Sequence, residues 1–126
     1  MKTAHFILYV MDPSKSKVFY TQTLGLEPYL DVPGMTEFSL PGGASLGLMP
    51  ERGIQCLLPD LPSPSRGSGI PRAELYLEVE DPEAFHARAL QAGARELSPL
   101  LPRDWGQRVA YSLDPDGHVL AFALAL

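Results

Sequence analysis

One arrangement is written twice in this chain: a strand, the dipeptide Asp-Pro, and a helix that stops at a glycine. The first copy runs His5-Phe6-Ile7-Leu8-Tyr9-Val10-Met11-Asp12-Pro13 and continues as a helical stretch to Gly25. The second runs Glu74-Leu75-Tyr76-Leu77-Glu78-Val79-Glu80-Asp81-Pro82 and continues to Gly93. In both, an ionisable residue (His5, Glu74) stands seven positions before the Asp. Alternation along each strand then decides which side chains share a face. A strand-helix unit repeated at this size implies two modules with one shared cleft, so function is expected where the modules face each other.

The rest of the chain fills in the same plan. Asp12 is a good N-cap, Pro13 suits the first helical turn, and Gly25 supplies a left-handed stop. Leu26–Val32 and Met35–Leu40 read as a hairpin around Pro33-Gly34, and Gly42-Gly43 turns the chain into a strand over Ala44–Met49. The second module repeats this: a strand over 73–80, a helix from Asp81 through Ala92, and strands over Glu96–Leu101, Arg108–Leu113 and His118–Leu124. Asp114-Pro115-Asp116-Gly117 makes a turn between the last two. Phe85, Ala89, Leu90 and Ala92 form the expected buried stripe of the second helix, with His86 and Arg88 outside. Between the modules, 50–72 holds five prolines and no sustained periodicity, which predicts a linker and a candidate lid. The expected fold is α+β: a single domain over 1–126, with modules 1–49 and 73–126 forming a curved mixed sheet around a cleft.

Composition narrows the function. The 126 residues suit one domain with a real core. A net charge of −5 with no Lys/Arg cluster argues against a nucleic-acid surface. No apolar stretch approaches the roughly 20 residues that span a bilayer, and the N-terminus reads directly into a strand, so the expected location is cytoplasmic. The single cysteine, Cys56, has no partner for a disulfide or a thiolate site and reads as a small apolar residue rather than a reactive thiol.

The two Val-x-Asp-Pro helix entries, Phe19-Tyr20 followed by Leu24-Gly25-Leu26, and the terminal Asp-Pro-Asp-Gly-His hairpin together resemble the vicinal oxygen chelate superfamily. That group contains glyoxalase I, extradiol dioxygenases and the fosfomycin- and bleomycin-resistance proteins. The resemblance implies a divalent metal (Zn, Ni, Mn or Fe) held from the inward faces of four strands. His5 and Glu74 match two ligand positions. The usual Glu on the last strand, three residues after the hairpin histidine, is Ala121, and the position late in the first module aligns with Gly47. Two protein ligands are too few for a catalytic zinc or iron site. Glu78 or Glu37 would have to compensate; a His5–Glu74 hydrogen-bonded pair is the plainer reading. His118 belongs to the hairpin.

Pro102-Arg103-Asp104-Trp105-Gly106-Gln107-Arg108 is similar to bleomycin-resistance members, which are dimers that trap a drug without metal-dependent turnover. Trp105 offers a flat face for a planar or cationic group and Arg108 a fork of donors, unless Trp105 merely plugs one end of the sheet and Arg108 pairs with Asp104. Alternation adds Tyr9, Phe38, Met49, Tyr76 and Glu78 to the expected wall. The leading expectation is a homodimeric, metal-free binder of a small organic molecule, antibiotic-like, cationic or aromatic, with no catalytic residue assigned. The alternatives are a divalent-metal-dependent lyase, isomerase, transferase or dioxygenase using His5 and Glu74, and a protein-interaction scaffold.

Overall fold

The computed structural model describes residues 1–67 and 69–126. They form two compact units, Met1–Thr21 with Gly25–Ser68, and Gln22–Leu24 with Gly69–Leu126. No described helix is long and apolar enough to cross a membrane.

In the first unit, strand β1 (His5–Val10) leads to helix α1 (Pro13–Leu24). The carboxylate of Asp12 accepts the amide of Lys15 at 3.1 Å, and the helix ends at Gly25 in the left-handed region, φ 68°. Capping of this kind supplies partners for backbone groups that the first and last helical turns leave open. Strands β2 (Leu30–Val32) and β3 (Met35–Ser39) form the hairpin, and β4 (Ser45–Pro50) closes the sheet. The order is β1-β4-β3-β2, with β1 parallel to β4 and the other pairs antiparallel. One face buries Val10, Phe38, Leu46 and Leu48, and Tyr20 of α1 packs at 6.5 Å from the Phe38 ring. Each such large apolar side chain contributes roughly 1.5–3 kcal/mol on burial. Phe6 shares that face by register but remains 58% exposed, because it sits near the start of edge strand β1.

The expected linker is more structured than its prolines imply. Helix α2 (Glu51–Leu57) and a 3₁₀ turn at Pro64–Gly67 lie within it. Pro50 and Pro59 bracket a proline-free stretch, and Ile54 is buried as α2 packs on β4 and β1. Prolines forbid a ladder but permit a short helix between them. Ser68, within that expected linker, lies outside the described residues.

The second unit repeats the topology with β5 (Glu74–Glu78), helix α3 (Pro82–Gln91), β6 (Arg95–Pro102), β7 (Gln107–Leu113) and β8 (Val119–Ala125). Its order is β5-β8-β7-β6, with β5 parallel to β8. Asp81 caps α3 through the amide of Ala84 at 3.0 Å. The helix covers the sheet with Ala89 and with Phe85, whose ring lies 5.4 Å from Phe122. His86 corrects an expectation: it is buried, and its Nε2 meets Glu96 at 2.8 Å. Pro82, His86 and Ala89 are the buried residues of α3, spaced four and three apart, so the covered stripe runs through the histidine. Arg88, also expected outside, is half-buried with its guanidinium 4.2 Å over the Phe85 ring.

Candidate functional sites on the two sheet faces

On the first unit's other face, register brings together Ile7, Gly47 and Glu37, with His5 opposite Ser45 and Tyr9 opposite Met49. Glu37 is buried and is the hub of a hydrogen-bond chain. His5 Nδ1 lies 2.9 Å from one carboxylate oxygen, and the Tyr29 hydroxyl donates to the other at 2.6 Å. A carboxylate only accepts, so Nδ1 carries the proton. The Tyr29 oxygen is 3.0 Å from Ser45 Oγ, and His5 Nε2 is 3.2 Å from Thr3 Oγ1. Tyr29, and then His5, hold the Glu37 carboxyl below its ordinary range, with burial opposing them, while the same carboxylate raises the Tyr29 hydroxyl. His5 is thus partnered with Thr3 and Glu37 inside its own unit. Tyr9 and Met49 fall on this face, half-buried. Phe38 does not: it lies on the helix-covered face, because the strand's alternation places Glu37 here instead.

On the second unit, β5 presents Glu74, Tyr76 and Glu78, β8 presents Ala121 and Ala123, and β7 presents Gln107, Val109 and Tyr111. Val109, Ala121 and Ala123 are fully buried, with Tyr76 and Tyr111 packed against them. Around this floor runs a polar chain: Trp105 Nε1 donates to Tyr76 OH at 3.0 Å, Tyr76 OH donates to Gln107, and Gln107 donates to Glu78. Trp105 itself is 56% exposed. It stands in the tight turn between β6 and β7, where Gly106 has φ 85° and its amide bonds Arg103 O at 3.3 Å. Glu74 is exposed and acts on Tyr111 through space. Burial first, then Glu74, raises the Tyr111 hydroxyl above its ordinary value.

Arg108 is displaced from its expected role. It pairs with Leu124, in phase with Ala110 and Phe122, so it belongs to the helix-side face. Arg103 takes the place beside the aromatic residues. Its Nη2 donates to Ser98 Oγ at 2.5 Å and Val109 O at 2.9 Å, and its guanidinium lies 5.1 Å from the Tyr111 ring centre. Counting alternation back from Tyr111 to Gln107 would have excluded Arg108, but the return of Arg103 from the turn leaves no periodic signal.

The donors on these faces do not make a metal site in either unit. A Cβ on Gly47 would lie 2.5 Å from Ile7 Cδ1 and 3.1 Å from Met35 Sδ, so neighbouring side chains already fill that place. Its counterpart Ala121 lies against Tyr76 and Tyr111 and offers no donor, and the other carboxylate on that strand face, Glu78, accepts from Gln107. The His5 Nδ1 proton and both Glu37 oxygens are engaged with each other and with Tyr29. Asp114, Asp116 and His118 do bring three donor atoms within 4.8 Å. There the Asp114 carboxylate accepts the amides of Asp116 and His118 at 2.9 and 2.8 Å and meets His118 Nδ1 at 2.9 Å, which is the hydrogen bonding of the hairpin turn.

The order of elements and the doubled β-α-β-β-β topology agree with the comparisons. The family model described as Glyoxalase/Bleomycin resistance protein/Dioxygenase superfamily matches residues 2–122. The chain belongs to that superfamily. Among solved structures, a glyoxalase-related enzyme from Fulvimarina pelagi is 23% identical, with a TM-score of 0.82 over 95% of this chain and 85% of that one. A glyoxalase/bleomycin resistance protein/dioxygenase from Nocardioides is 22% identical, TM-score 0.80, over 98% and 82%. A family enzyme from Burkholderia phytofirmans PsJN is 18% identical, TM-score 0.80, over 98% of both chains. At these identities the likeness is one of fold. No curated protein matches. In this glyoxalase-superfamily chain, then, the strand positions that the sequence resemblance reserved for metal ligands hold a glycine, an alanine and two partnered or isolated donors.

Proposed function

We propose that this superfamily member is a metal-free, homodimeric binder of a small planar organic molecule, in the manner of the bleomycin-resistance proteins. One observation carries the reading. Trp105 is mostly exposed, yet its indole N–H is tied to Tyr76, which is tied in turn to Gln107 and Glu78. A large aromatic surface left in water but held in one orientation is a stacking platform whose ordering is done before the ligand arrives. The apolar floor of Val109, Ala121 and Ala123 with a few fixed polar groups beside it has the make-up of a small-molecule site. Glu78, at the end of the chain, supplies an acceptor for a donor or cationic group of the ligand. The homodimer rests on the family resemblance alone.

The test is direct. Protein incubated with Zn²⁺, Ni²⁺, Mn²⁺ or Fe²⁺ and then dialysed should retain no stoichiometric ion. One ion per chain, lost in His5→Ala, would replace this reading with a metal-dependent enzyme. A library of planar amines and heteroaromatics should include compounds that raise the melting temperature and quench Trp105 fluorescence, with both effects lost in Trp105→Ala. At a hundredfold excess over Kd the stabilisation should be about 2.7 kcal/mol. Sedimentation should give twice the 13.8 kDa chain mass.

A further inference from the structure

Arg103 carries a charge that its own unit does not neutralise. The residue is half-buried, its Nη2 is held by two neutral acceptors, and its Nε is buried with no hydrogen-bond partner. None of the ion pairs among the described residues includes it. Charges withdrawn from water are normally paired, and a guanidinium takes a carboxylate in preference to other acceptors; with Nε closed off from solvent and Nη2 engaged, the edge left for a ligand is Nη1. The guanidinium is also fixed, pinned to the hairpin and stacked over Tyr111. Tyr111 and Tyr76 flank Ala121 from the two neighbouring strands, so their backbones stand about 10 Å apart. Tyr76 in turn holds the Trp105 indole. Trp105 and Arg103 stand two residues apart at the same turn, the one tied to Tyr76 and the other stacked on Tyr111, so both border the same face.

We propose that Arg103 receives the carboxylate of a bound aromatic acid whose ring lies on Trp105. This deepens the small-molecule reading and rests on it. It also changes the expected ligand: the acidic residues Glu74 and Glu78 alone favour a cation, whereas a fixed arginine on the same face selects molecules that carry an anionic group, alone or beside a donor that meets Glu78. Arg103 is the specificity-determining residue.

Three probes with one ring separate the possibilities: indole-3-acetate, indole-3-acetamide and tryptamine, titrated calorimetrically against chelator-treated protein. The acetate should bind the native protein about tenfold tighter than the amide, the size of one charge-assisted contact. Arg103→Met should bring that ratio close to one, and Arg103→Lys, which keeps the charge without the fork, should leave it intermediate. The lysine variant decides the matter if the methionine variant does not fold. Equal binding of acetate and amide to the native protein, or a ratio unmoved in both variants, overturns the proposal while leaving a binding site for neutral or cationic rings. Failure of all three probes to bind would overturn this inference, whereas the small-molecule reading itself falls only if the library of planar amines and heteroaromatics yields no stabilising compound.

Discussion

Glu37 offers the sharpest test of the first unit. Its side chain is buried, with the Tyr29 hydroxyl at 2.6 Å and His5 Nδ1 at 2.9 Å on its two oxygens. Hydrogen bonds to a charged group are worth about 1.5–3 kcal/mol each. In Glu37→Gln the amide oxygen still accepts from Tyr29, as a neutral bond, but the amide nitrogen now faces a protonated Nδ1 and forces the imidazole into its other tautomer. The expected loss is therefore about 2 kcal/mol, a factor of roughly 30 in the folding equilibrium. The pH dependence distinguishes this cause from simple packing. The folded Glu37 titrates below its unfolded value of 4.5, so its contribution is complete above that pH and fades as pH falls through the folded value. Urea unfolding of the native chain and the variant, followed by circular dichroism from pH 7 to pH 3, should give stability curves that converge on acidification. A gap that stays constant across that range would refute the role of the charge. A gap below about 0.5 kcal/mol at pH 7 would place Glu37 among ordinary surface residues.

Three further outcomes follow from the same contacts. Ala121→Glu places a carboxylate between Tyr76 and Tyr111 in a fully buried apolar cluster; it should destabilise by about 3 kcal/mol or more in urea unfolding and bring no bound metal in elemental analysis. Asp114→Ala removes the acceptor of two backbone amides and the partner of His118, and should cost about 3 kcal/mol, with hydrogen exchange quickening first at 114–118. His86→Ala empties a buried site on α3 and leaves Glu96 alone, for a loss of about 2 kcal/mol; a loss near zero would mean that α3 does not need its histidine.

What the sequence disclosed was whatever local rules decide. Asp12, Asp81 and Gly25 act on backbone groups within a few residues of themselves, so their roles can be read directly. Tyr76, Ala121 and Ala123 share a face as alternation expects, because β8 alternates the large Leu120, Phe122 and Leu124 with the small Ala121 and Ala123, and β5 alternates Leu75 and Leu77 with Glu74, Tyr76 and Glu78. Strand β3 gives no such guide: Thr36, Glu37 and Phe38 are all buried, so the pattern cannot say which face is which, and Phe38 was placed on the wrong one. Helix α2 was hidden by the prolines that flank it. Arg103 was out of reach for a different reason. Its position depends on a turn that sends the side chain back along the neighbouring strand to Val109 O, a contact no spacing in the sequence encodes.

The two units also show how a duplicated frame diverges. Register makes Ile7, Gly47 and Glu37 of the first sheet the counterparts of Tyr76, Ala121 and Tyr111 of the second. In both, the residue on the central strand is small and its neighbours lean over it, Ile7 and Met35 in one case, the two tyrosines in the other. A longer side chain at Gly47 would have to displace the tips of Ile7 and Met35, and one at Ala121 would enter the cluster of Val109, Ala123 and the two tyrosines. The outer positions then differ in kind: the first sheet closes its polar groups on the buried Glu37, while the second runs its chain out to the exposed Trp105 and Glu78 and holds beside it an arginine that forms no ion pair among the described residues. Groups satisfied within the sheet stabilise it, whereas a buried donor without a partner costs stability, and this difference is what the proposed binding role of the second sheet rests on.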